Sequence, residues 1–180
     1  SWATVANAMQ LESNTMTKSN TNLGTVTFNY NYSGKEDTTS TAYTTYTANG
    51  WTTKSGSVTR NYEDGQSIIL SSNISLYPCF TQTKVSAKFP NPSRTGYTFD
   101  GWYTKASGGE KVTSYTDAMA ITLYAHWSNN EYEITYNKGD STGGTVPGVQ
   151  TVIYNGSVTL SINELTKSNA AKGYTVTYNK

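Results

Sequence analysis

Only 14% of the 180 residues are charged, the formal net charge is +1 and no acidic or basic run occurs, which excludes charge-driven recognition of nucleic acid or of an anionic membrane surface. No apolar run approaches the ~20 residues a membrane-spanning helix needs, and the one cysteine, Cys79, excludes an internal disulfide framework. Fifteen tyrosines among abundant Thr and Ser favour strands; with Ser1 in place of a methionine and no basic or apolar leader, the sequence reads as a piece of a longer exported protein.

Ser1 to Gly24 is expected to finish a preceding unit. Trp2, Val5 and Met9 fall at helical spacing, but the stretch aligns with the strand-like TVIYNGSVTL further on, so a strand is preferred. TVTFNYNY then alternates, with Val26, Phe28, Tyr30 and Tyr32 on one face, and breaks at Ser33-Gly34. Next comes YTANGWTTKSG, Tyr46 to Gly56, whose Tyr46, Gly50, Trp51, Thr53 and Lys54 recur 51 residues later as Tyr97, Gly101, Trp102, Thr104 and Lys105 in GYTFDGWYTKASGG. ISLYPCF, Ile74 to Phe80, recurs 47 residues later as ITLYAHW, where Ile121, Leu123, Ala125 and Trp127 point one way and Thr122, Tyr124 and His126 the other. YEITYNK, with Tyr132, Ile134 and Tyr136, opens a further strand.

SINELTKSNAAKG is predicted as a short helix, with Ser161 as N-cap, Glu164 completing a capping box and Gly173 ending it. A longer echo joins the ends: LESNTMTKSN at Leu11 returns as LSINELTKSN at Leu160, 149 residues on, and TVTFN at Thr25 returns as TVTYN at Thr175, 150 residues on. Fixed periods of this kind mark tandem modules. The predicted architecture is mainly β with a short helix, built from tandem small β-grasp-like repeat modules: residues 1–24 end a preceding unit, 25–80 form a degenerate module, 81–128 a second, and 132–180 an incomplete third.

Modules this small bury little surface, so Trp51, Phe80, Trp102 and Trp127 are expected as core rings, with Gly101 at a bulge that re-aims the indole of Trp102. Catalytic chemistry finds little support. His126 is the sole histidine, and its counterpart in the first copy is Cys79, which reads as tolerant packing and not as a nucleophile–base pair. Glu63 and Asp64 are neighbours with no glycosidase spacing, and Asn137 to Gly144 lacks the acidic alternation of a calcium loop. No cofactor or metal is expected. The functional candidates are half-exposed tyrosines among Tyr30, Tyr32, Tyr43, Tyr132, Tyr136 and Tyr154, with Tyr132 and Tyr136 as candidate contacts to a host glycan or protein.

PNPSRTGYTFDGWY, Pro90 to Tyr103, the Gly108-Gly109 turn and ITLYAHW together resemble the internalin-type B-repeat, also called the Listeria-Bacteroides repeat. Over Phe89 to Trp127 the match is specific; in the first copy Thr45 replaces the glycine, Ala48 the phenylalanine, and Pro78 and Phe80 the Ala and Trp. The resemblance implies β-grasp-like modules of bacterial surface or secreted proteins, extracellular or on the cell surface, which space or present other domains beside neighbouring modules of the same chain. It implies no catalytic residues. Gly96, Tyr97, Phe99, Gly101, Trp102, Leu123, Tyr124 and Trp127 transfer as structural positions, and Trp51 and Tyr77 hold matching places in the first copy. A non-enzymatic spacer in an adhesin-like protein is the expected role, with glycan or protein binding through exposed tyrosines as the alternative.

Overall fold

The computed structural model describes residues 8–168, and all regular structure among them is β. The strands are β1 (Met9–Gln10), β2 (Thr21–Asn29), β3 (Thr38–Thr52), β4 (Ser67–Ile68), β5 (Tyr77–Val85), β6 (Tyr97–Tyr103), β7 (Lys111–Val112), β8 (Ile121–Asn129), β9 (Glu131–Ile134) and β10 (Gln150–Ile153). β1 pairs with β4 and β9 with β10, both antiparallel, while the other six form one sheet in the order β5-β3-β2-β8-β6-β7. Two compact units divide the chain: the described residues up to Asn91 with Asp100–His126, and Pro92–Phe99 with the described residues from Trp127.

In the first unit, the centre of the sheet is β2, antiparallel to β3 (Val26 opposite Ser40) and parallel to β8 (Val26 opposite Ile121). A parallel neighbour demands a long crossover, and here β3 to β7 lie within it. The alternation of β2 follows from that central position: Val26 and Phe28 are fully buried and Tyr30 nearly so, while Thr25, Thr27 and Asn29 are half-buried. Leu123 and Ala125 of β8 and Ala42 of β3 join them. β2 carries a register shift between Asn22 and Thr25, and at Gly24 within it a side chain would overlap the carbonyl oxygen of Met119. The Gly24 N–H donates to the Asp117 carbonyl at 2.8 Å, so the backbones meet where only glycine fits.

The second unit contains the β9–β10 hairpin, with Tyr132 opposite Val152. The helix predicted from Ser161 to Gly173 is absent from its described part: residues 161–168 are irregular apart from a bridge between Thr166 and Gly143, and the remainder lies outside the described residues. Asn163 explains the difference. Its Oδ1 accepts the Leu165 N–H at 3.0 Å, a local turn that competes with helical bonding. Asn14, its counterpart in the 149-residue echo, accepts the Met16 N–H at 3.1 Å in the same way. At the other end of the chain Met9 lies in β1, whereas Trp2 and Val5 fall outside the described residues.

Candidate functional site

The Gly-Trp step of the second copy lies inward. Gly101 is buried with φ of 134°, and Trp102, 2% exposed, packs edge-on against Phe28 at 4.7 Å and Tyr30 at 5.4 Å between ring centroids. Its indole N–H donates to the Pro90 carbonyl at 2.8 Å, which satisfies the polar edge of the ring. Leu123 is fully buried nearby in sequence to half-buried Tyr124. The first copy uses the same step differently. Its register shifts between Ala48 and Trp51 around Gly50, Thr52 becomes the buried side chain at 1% exposure, and Trp51 is half-buried with its N–H on the Glu12 carbonyl at 2.7 Å. Tyr77 is 39% exposed.

The His126 and Cys79 positions, expected to be interchangeable packing slots, differ in exposure. Cys79 is fully buried and its thiol donates to the Ser57 carbonyl. His126 is half-buried, its ring stacked on Tyr103 with centroids 3.9 Å apart and planes 8° from parallel, and its Nε2 lies 2.9 Å from the Lys105 carbonyl, to which it donates when protonated there. The two occupy β5 and β8, with β3 and β2 between. Three inter-strand spacings amount to about 14 Å, far beyond hydrogen-bond reach of a nucleophile and its base. Glu63 is taken up by Arg60 at 2.8 Å and Asp140 by Lys167. Among the described residues no group of three or more His, Cys, Asp or Glu is placed to hold a metal ion.

The tyrosines separate by environment. Tyr30, a candidate surface ring by sequence, is buried just beyond the end of β2 with its ring edge-on to Trp102; Tyr32, Tyr43, Tyr136 and Tyr154 are half-buried, and Tyr132 is 48% exposed. Tyr136 lies beyond the end of β9, its hydroxyl donating to Gln150 Oε1 and accepting the Ser161 N–H at 2.9 Å. Its ring borders a cavity of about 240 Å³ with Pro147, Ser161 and Leu165. In the second unit, Phe99 and Trp127 are half-buried and pack at 5.3 Å, and the Arg94 guanidinium lies 3.7 Å from the centre of the Tyr97 ring.

Two groups escaped the sequence reading. Asn14, 5% exposed, donates through Nδ2 to the carbonyls of Gly50 at 2.8 Å and Cys79 at 3.1 Å, tying the segment before β2 to β3 and β5. Asn61 accepts through one oxygen from the Thr52 hydroxyl and the Thr53 N–H, both at 2.9 Å. The 149-residue echo held a signal for the first, since it aligns Asn14 with Asn163; nothing local marks the second.

A family model described as the Listeria-Bacteroides repeat domain matches residues 80–126. Internalin H of Listeria monocytogenes is 45% identical over 49 residues, 26% of this chain and 9% of that protein. Residues 80–126 belong to the Listeria-Bacteroides repeat family. Two proteins of Evansella cellulosilytica share similarity as well: a putative Gly-rich membrane protein, 38% identical over 77 residues (38% of this chain, 9% of the relative), and a putative membrane protein, 33% identical over 72 residues (39% and 11%). The chain thus spans about a tenth of the length of these curated relatives. No solved structure matches. The Listeria-Bacteroides repeat marks the segment as a bacterial surface-protein repeat, and among the described residues no helix is long and apolar enough to cross a membrane.

Proposed function

We propose that this chain is a non-enzymatic, extracellular spacer segment of an adhesin-like bacterial surface protein, whose β-grasp-like modules hold other domains away from the cell wall. The observation that carries this reading is the burial of Trp102: the ring at the heart of the second copy of the phrase is 2% exposed and bonded to Pro90, so in the copy that matches the repeat family the phrase builds a core and does not present a platform. The module boundaries 25–80, 81–128 and 132–180 belong to the same proposal and rest on the sequence periods. A second reading, contact with a host glycan or protein, draws support from the exposure of Tyr132 and the cavity beside Tyr136.

A glycan array and a host-protein pull-down on the whole chain distinguish the two. The spacer reading expects no reproducible capture. Capture that disappears in both Tyr132→Ala and Tyr136→Ala, with the fold retained by circular dichroism, would overturn it in favour of the binding module.

A further inference from the structure

Gly96 opens the Gly-Tyr step of the Listeria-Bacteroides repeat, and two separate facts bear on it. Its φ is 78°, a left-handed conformation that side chains disfavour. It is also buried, and a Cβ placed on it would fall within the ring of Tyr154, the residue that follows β10. A turn alone explains the first fact and not the second. The Tyr154 ring meets the ring of Tyr97 edge-on, with centroids 5.8 Å apart. Backbone bonds complete the contact through Asn130, the single residue between β8 and β9. Its N–H donates to the Gly96 carbonyl at 2.9 Å, its carbonyl accepts the Tyr154 N–H at 2.8 Å, and its Oδ1 accepts the Thr98 hydroxyl at 2.8 Å.

We propose that the Gly-Tyr step is a docking seat for the tyrosine of the module that follows it: Gly96 lacks a side chain so that the Tyr154 ring can lie on bare backbone, and Asn130 clamps the connection from both sides. The inference rests on the tandem-module reading. The degenerate first copy supplies the contrast, because it has Thr45 in place of the glycine, and there Tyr46 packs against Phe80 of its own copy and lies under Lys18.

Native-state amide exchange and urea unfolding of the whole chain test the seat with Gly96→Ala, Tyr154→Ala, Tyr154→Phe and the Gly96→Ala/Tyr154→Ala double variant. Tyr154→Ala is expected to speed exchange of the Asn130 and Tyr154-position amides at least about tenfold, the loss of roughly 1.4 kcal/mol of local protection, while Phe28 in β2 is unaffected and Tyr154→Phe behaves as the parent. Gly96→Ala should perturb the same amides, and its effect should shrink once the Tyr154 ring is gone, leaving only the backbone cost. Unchanged Asn130 exchange in Tyr154→Ala sinks the proposal even where Gly96→Ala fails to fold, and so does an equal cost of Gly96→Ala with and without the ring. Glycan or protein capture with the coupling intact would remove the spacer reading and leave the seat standing.

Discussion

At Trp102 one side chain closes a cluster that no neighbour in sequence can replace, since its contacts are Phe28 of β2 and Tyr30 just beyond the end of that strand. Trp102→Ala is expected to cost about 3–5 kcal/mol, as other buried ring truncations do. Tyr103→Ala removes a half-buried ring stacked on His126 and should cost only about 0.5–1.5 kcal/mol. Urea unfolding followed by circular dichroism ranks the two, and a Tyr103 variant as damaging as the Trp102 variant would refute the core role of the indole. The repeated Gly-Trp step is visible in the sequence, yet nothing in it signals that the first copy buries Thr52 instead of Trp51. That choice depends on Asn61 and Glu12, which approach from elsewhere in the chain.

Among elements, β2 and β8 were legible because a pleated strand shows its two faces at a period of two whatever it pairs with. The segments around Asn14 and Asn163 were not: at Asn163 the capping-box signature of Ser161 and Glu164 competes with an Asx turn of similar local strength, and at Asn14 the same Asx turn stands without a capping box. Their roles also diverge: Asn14 bridges β3 and β5 from a buried position, while Asn163 is exposed. Asn14→Ala leaves the Gly50 and Cys79 carbonyls without that donor and is expected to cost about 1–3 kcal/mol. Asn163→Ala should stay within about 0.5 kcal/mol. Equal denaturation midpoints for the two variants would show that the buried amide does not join these strands.

Over the whole molecule, the central pairing of Val26 with Ile121 closes a long stretch of chain before any reward is gained, a non-local arrangement that folds slowly. Cys79 reports on its opening. The thiol is fully buried in β5, an edge strand that joins the sheet only through β3. Labelling by a disulfide reagent should run at least roughly a thousandfold slower than in urea-unfolded chain, the factor that about 4 kcal/mol of opening free energy corresponds to; labelling at the unfolded rate in native buffer would show that β5 detaches freely. The strand character of β2 and β8, the faces those two strands turn inward and the repeat periods were determined by the sequence alone, because alternation and self-similarity are local properties carried in consecutive residues. The tertiary structure alone decided that β2 lies between β3 and β8, that Asn14 sits buried between strands and that Gly24 and Gly96 must lack side chains. Each of those outcomes depends on which distant backbone or ring arrives at the position, and no local pattern encodes an arrival.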